Sequence, residues 1–184
     1  MASTQAEFHR YVAFIRNVMI GRANLHADVL LRIFRDAGAR DPRSHLATGN
    51  VSFEWAGQDL QPLVDSVRPA FLHTMGRSEP IFVRSIDALA ALIASDPFQH
   101  SPIEDVGHRC VTFTDALPGD LPLPVVSARR DAYIFGLHES DYFSVTRLID
   151  GRGGNPSRMV EKALSCAATT RNWNTIERIV RWHH

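Results

Sequence analysis

Apolar positions along the first half of the chain switch between a strand rhythm and a helix rhythm. Residues 11–16 (YVAFIR) form a short, dense apolar run, the pattern of a buried strand. Leu25, Val29, Ile33 and Ala37 then recur at helical spacing, and Leu30 and Phe34 widen the stripe. Asn24 is the expected N-cap of this helix, and Gly38 its expected end. Around Gly49-Asn50 two further strands are predicted, with the Gly-Asn pair as a two-residue type II′ turn and Leu46 before it. Val51, Phe53 and Trp55 alternate with Ser52 and Glu54 beyond the turn, a clear period of two. A second helix is expected from Asp59, with Leu60, Leu63, Val64, Val67 and Phe71 inward. Pro69 lies inside that pattern and predicts a kink or a break. Residues 80–84 (PIFVR) read as a fourth strand.

Strand, helix, strand, strand, helix, strand is the order of a split βαβ, or ferredoxin-like, unit, here over residues 10–84. The second half is less regular. Ser85 caps a helix bearing Ile86, Leu89, Ala90 and Ile93, and Pro97 ends it. An exposed connector over residues 96–108 leads to strands at 109–114, 125–128 and 132–137, with a Pro-rich loop over 115–124. Asn155-Pro156 opens a helix, asparagine as N-cap and proline at the first helical position, where its missing donor costs nothing. A last helix is expected over residues 171–182, with Trp173, Ile176, Ile179 and Val180 inward. The fold class is therefore α+β, with two ferredoxin-like units, the second irregular, divided as 1–84 and 85–184.

Composition narrows the functional classes. Lys plus Arg equals Asp plus Glu at 20 each, so no global field draws the chain to nucleic acid or an anionic membrane. The RNA-recognition pattern of aromatic strands is absent from GNVSFEW (residues 49–55), whose Val51, Phe53 and Trp55 alternate as core residues do. Nucleic acid is thus a disfavoured partner. Cys110 and Cys166 stand far apart with no CxxC spacing, which predicts free thiols in a reducing compartment. With no signal-peptide pattern over residues 1–9 and no apolar run of membrane-spanning length, a cytoplasmic protein is expected.

Three segments carry a resemblance. Residues 15–22 read IRNVMIGR, residues 48–53 TGNVSF, and residues 168–176 ATTRNWNTI. Together they resemble a bacterial family known only as domain of unknown function 1697, whose members open with LRGINVGG, carry SGNVxF and close with TTRNWNTV. Residues 83–85 (VRS) and 96–98 (DPF) also fit. Asn17 replaces the first glycine of the opening motif, Met19 its asparagine, and Arg22 a frequent glycine. The resemblance implies two ferredoxin-like units and no established activity.

Candidate chemistry is sparse. The loop over residues 16–24 joins a strand to a helix, where free N–H groups and the helix dipole suit an anion, with Arg16, Gly21 and Arg22 at hand. A capped surface loop is the plainer reading of the same residues. In the closing motif Arg171, Asn172 and Asn174 could face a ligand. Equally, Thr170 or Asn174 could cap the last helix, with Glu177 at capping-box spacing, and Trp173 could anchor the core. Residues 151–157 (GRGGNPS) suggest a phosphate cradle but lack the P-loop lysine and the GxGxxG spacing. His100, Glu104, Asp105 and His108 sit in a connector without the framework a metal site requires. No cofactor motif, GxSxG or HExxH is present.

The leading expectation is a small-molecule or anion-binding, regulatory module. Its site gathers Arg16, Gly21, Arg22, Gly49, Asn50, Arg171, Asn172 and Asn174, and its partner is an anionic small molecule. The alternatives are a metal-free enzyme, with Arg171 as electrophilic stabiliser, and a protein-interaction scaffold.

Overall fold

The strand rhythm of the opening apolar run becomes β1 (Phe8–Ile15) in a computed structural model that describes residues 7–115 and 121–184. Part of the expected Pro-rich loop, residues 116–120, lies outside the described residues, as does the start of the N-terminal stretch read for a leader. The helical stripe becomes α1 (Ala27–Asp36), which turns Leu30, Ile33 and Phe34 inward. Next come β2 (Arg40–His45), β3 (Asn50–Ala56), α2 (Gln61–Met75) and β4 (Ile81–Ser85). The strands form one sheet in the order β2-β3-β1-β4, antiparallel at every pairing. Tyr11, Ala13, Ile15, Val51 and Phe53 on one face meet Leu30, Phe34, Leu63, Val67 and Phe71 from the two helices. Burying side chains of this size contributes roughly 1.5–3 kcal/mol each, so this layer holds the unit together. Ser52 and Phe14 point to the other face and are also fully buried, so the simple alternation in the sequence understated how much of the sheet is covered.

Three local expectations are corrected. The Gly49-Asn50 pair is not a two-residue turn: the hairpin connection is residues 46–49, and Asn50 already belongs to β3. Leu46 and Gly49 both take positive φ, which lets a four-residue loop reverse the chain. Asn24 does not cap α1; His26 holds that position without a side-chain hydrogen bond, while Asn24 sits at φ 60° in the preceding loop. Pro69 does not break α2, which continues through it for 15 residues. The ring lies on an exposed position, so water can satisfy the carbonyl freed one turn earlier.

The chain divides into residues 1–88 and 89–184, the boundary falling within α3 (Ile86–Ala94). Ser85 caps that helix as expected, its Oγ accepting from the Ala88 N–H at 3.0 Å. The second unit holds β5 (His108–Thr114), β6 (Val125–Val126), β7 (Ala132–His138), β8 (Asp141–Thr146), α4 (Pro156–Leu164), β9 (Ala168–Asn172) and α5 (Trp173–His183). Its sheet order is β6-β7-β8-β5-β9, again antiparallel throughout. Within it, β7-β8-β5-β9 repeats the order and directions of β2-β3-β1-β4. Between β5 and β7, where the first unit places α1, the described residues hold the two-residue edge strand β6.

Two strands escaped the sequence reading. No strand is expected between residue 137 and the Asn155 cap, yet 141–146 form the buried β8. The last helix is expected from Arg171, yet residues 168–172 form β9, and α5 starts only at Trp173. The Asn155 cap of α4 is as expected, its Oδ1 accepting from the Arg158 N–H at 3.0 Å. No helix among the described residues is long and apolar enough to cross a membrane.

Candidate functional site

In the first unit, the loop after β1 is held by its own backbone and by the 46–49 turn. The Ile15 N–H donates to Gly49 O at 2.9 Å, and the Ile20 N–H to Ala47 O at 2.8 Å. Gly49 lies so close that a Cβ there would stand 2.9 Å from Val18 Cβ and 3.1 Å from Ile15 O. The Asn50 side chain turns inward, donating to His45 O at 2.9 Å and to Thr48 Oγ1 at 3.1 Å. The Arg16–Arg22 loop and Gly49–Asn50 therefore do meet, but Gly49 and Asn50 serve as the seat of the loop.

The expected anion nest on this loop has few donors to offer. The Gly21 N–H donates to Leu25 O at 2.8 Å, and the Arg22 N–H to Met19 O at 3.2 Å. Arg16 stands 3.9 Å from Glu79, a carboxylate only 7% exposed. Arg77 pairs with Glu79 Oε1 at 2.9 Å, and the Asn17 amide donates to Oε2, the oxygen that faces Arg16, at 3.3 Å. A buried carboxylate needs such neutralisation, so Arg16 and Arg77 are partly engaged. Arg77 gave no signal in the sequence, because its contact with this loop, at Asn17 O, spans 60 residues of chain.

The residues of the closing motif fall in the second unit. Arg171 pairs with Val111 in register, and its guanidinium donates to Thr169 Oγ1 at 2.7 Å and to Thr170 O at 2.9 Å. Burial pushes its pKa down to about 10, which still leaves it cationic at neutral pH. It does not line the cleft described next. The Thr170 hydroxyl is taken by Thr112 Oγ1 at 2.8 Å and Ser157 Oγ at 2.6 Å, so it caps no helix. Asn174 lies inside α5 rather than at its cap, which removes the capping-box reading with Glu177.

Trp173 is the anchor. β9 passes directly into α5 at this residue, which is 4% exposed and packs edge-on against Phe98 at 5.1 Å and Phe143 at 6.0 Å. Phe98 is itself buried, so the connector expected to be exposed is pinned at its start by aromatic packing. The residues flanking Trp173 are consequently turned outward. Asn172 and Asn174 both line a cleft of about 660 Å³ bounded by the 96–107 connector and the start of β5. Arg109 supplies a cationic group to its wall and His108 an imidazole, and Asp96 and Glu104 supply acidic groups. The Arg109 guanidinium lies 5.8 Å from the Phe98 ring centre. Asn172 Oδ1 also accepts a weak 3.5 Å hydrogen bond from the Cys110 thiol, whose pKa burial pushes up to about 12. Sequence reasoning found the two asparagines but missed the opposite wall, since a connector without periodicity gives no sign of where it folds back.

The remaining candidates resolve into structure. Gly154 packs against β7, where a Cβ would stand 2.6 Å from Ala132 Cβ and 2.7 Å from Asp131 Oδ1. That contact, rather than a phosphate, accounts for the glycine. Asp105 pairs with Arg147 at 2.7 Å, which holds its carboxyl below the usual range. Among the described residues no group of three or more His, Cys, Asp or Glu side chains is placed to hold a metal. Val51 and Phe53 lie in the core, out of reach of a base.

Fold and site together define an α+β protein of two antiparallel-sheet units with a polar cleft beside the strand-to-helix junction of the second. The family described as "Protein of unknown function (DUF1697)" matches residues 8–132, more than half of the chain, and the chain belongs to it. Among solved structures, the conserved bacterial protein SP0830 from Streptococcus pneumoniae superposes with a TM-score of 0.70 over 95% of this chain and 98% of that one. At 16% identity this likeness speaks for the fold. A comparison with curated proteins finds no match.

Proposed function

We propose that the protein binds a polar small molecule carrying a carboxylate or phosphate group in the cleft of its second unit. The observation that carries this reading is the outward pairing of Asn172 and Asn174 around the buried Trp173, both on a cleft wall shared with Arg109. Two amides offer donors and acceptors in fixed positions, because the anchored indole between them sets their direction. Arg109 supplies a forked cation for an acidic group. The first turn of α5 holds no acidic residue, so its free N–H groups add positive potential on the side of Asn174. Asp96 and Glu104 favour a ligand that also carries hydroxyl or ammonium donors. The cleft volume of about 660 Å³ falls within the range of small-molecule sites. Two free thiols support a cytoplasmic setting for this binding role.

The test is a thermal-shift screen over amino acids, hydroxy acids, phosphosugars and nucleotides. A ligand at 100 times its Kd stabilises the native state by about 2.7 kcal/mol, enough for a visible rise in Tm. Hits should vanish in Asn174→Ala, an exposed substitution that leaves the unliganded Tm within a degree or two. Hits retained in both Asn174→Ala and Arg109→Gln would sink the proposal, as would a panel with no hit.

A further inference from the structure

The first unit carries a pocket of its own, formed where the loop after β1 meets the end of α2. It has a volume of about 450 Å³, and Val18, Met19, Arg22, Met75 and Arg77 are among the residues that line it. We propose that this is a second binding site, for a small molecule with one anionic head and an apolar body.

Charge is the first argument. Two arginines, Arg16 and Arg77, flank the one buried carboxylate, Glu79, and a third, Arg22, lines the pocket beside Arg77, so the pocket wall itself carries two guanidinium groups and no carboxylate. Glu79 faces Arg16 and Arg77 and accepts from Asn17, so the three are tied together. Arg22 is not part of that network: its guanidinium makes no hydrogen bond or ion pair among the described residues, and it opens on the pocket. Arg77 is held by Glu79 and by Asn17 O at 2.9 Å, which fixes its fork and leaves other N–H donors for a ligand. A carboxylate or phosphate at this point would meet one preorganised guanidinium and one that swings in.

The rest of the lining is apolar and soft. Met19 is 43% exposed and lies on the pocket wall, so its thioether chain is open to a ligand seated there. With Met75 and Val18 it forms a surface that an alkyl or aromatic body can settle on, because thioether chains repack at little cost. An inorganic ion would use the arginines and leave this surface bare.

The loop is also held in a costly shape. Asn17, Ala23 and Asn24 all take positive φ, at 52°, 51° and 60°, alongside Gly21 at 88°. Side chains other than glycine seldom adopt this region, asparagine more readily than alanine, so the shape has to be held from outside. The docking on Gly49 and Ala47 described above maintains the shape that presents Arg22 and Met19 side by side.

The experiment follows methyl signals of protein labelled at methionine while octanoate, octanol and inorganic phosphate are titrated in. Octanoate should shift the Met19 and Met75 methyls saturably and leave Met159, in the other unit, still. Octanol and phosphate should each bind at least about tenfold more weakly, since each lacks one of the two features. Arg22→Gln should weaken octanoate about tenfold, the worth of a lost charge-assisted hydrogen bond. Because Arg22 holds nothing else in place, the variant should keep the parent Tm. Asn174→Ala should bind octanoate as the parent does, which separates this site from the cleft of the second unit. No saturable shift with octanoate, equal binding of phosphate or octanol, or unchanged affinity in Arg22→Gln would each overturn the proposal.

Discussion

Replacing Gly49 by alanine puts a methyl group where none fits. The residue sits at φ 67°, and its Cβ would stand 2.9 Å from Val18 Cβ and 3.1 Å from Ile15 O, the carbonyl at the end of β1. Neither neighbour is the loose end of a flexible chain, so the 46–49 turn must lift away from the 16–24 loop. Left-handed geometry alone costs an L residue about 1–2 kcal/mol. Against this, alanine narrows the unfolded ensemble, which returns roughly 0.4–1 kcal/mol. Overlap with a packed neighbour adds about 1–3 kcal/mol. The expected loss is therefore about 1–4.5 kcal/mol. Gly57→Ala is the control, since Gly57 has φ 79° and nothing within 4 Å of the added methyl, so it carries the backbone part alone. Urea denaturation of both variants gives the comparison, and amide exchange at Ile15 and Ile20, which donate to Gly49 O and Ala47 O, localises it. If Gly49→Ala lies within about 0.5 kcal/mol of Gly57→Ala, the close-approach argument is wrong.

Three further outcomes are expected. Pro69→Ala should stabilise the protein by about 1–2 kcal/mol in urea denaturation, because an interior helix proline costs about 3 kcal/mol and the gain is offset by a freer unfolded chain; a loss of stability would show that the ring makes contacts its exposure conceals. Asn155→Ala should cost about 1 kcal/mol through loss of the cap on the Arg158 N–H, measured the same way, with Asn155→Asp restoring most of it. Native protein should consume one equivalent of a disulfide reagent at Cys166 and a second at Cys110 only after unfolding. The folded Cys110 pKa of about 12 lies above its unfolded value, so its contribution is fully present below about pH 9 and is lost as pH rises toward 12. That decline, up to about 1.4 kcal/mol per pH unit, should be absent from Cys110→Ala.

Legibility followed the physics of each signal. The stripe of Leu30, Ile33 and Phe34 and the alternation of Val51 and Phe53 were readable because each element buries one face, which imposes its own period on the chain. β8 is buried on both sides: its half-polar run DYFSVT alternates only over Phe143 to Thr146, and Asp141, Ser144 and Thr146 are covered like Phe143 and Val145, which a polar composition does not announce. β9 was hidden for another reason: Thr169, Thr170 and Arg171 resemble a polar loop until Val111 and Thr112 are seen pairing with them. Pro69 misled because a local rule about missing donors says nothing of whether the freed carbonyl meets water.

For the candidate sites the division is sharper. Local sequence determined the helix cap at Asn155, the cap at Ser85, the core face of each long helix and the motif that marks Trp173 as an anchor. Those depend on residues within one or two turns of each other. The tertiary structure alone decided that Arg77 joins Arg22, that Glu79 engages Arg16, that Arg171 is buried, and that Arg109 stands on the same cleft wall as Asn172 and Asn174. Such groups are brought together by strand pairing and loop docking across long stretches of chain, 60 residues in the Arg77–Asn17 contact. The free energy that selects these partners comes from burying whole faces of the sheets, and no short window of the chain contains it.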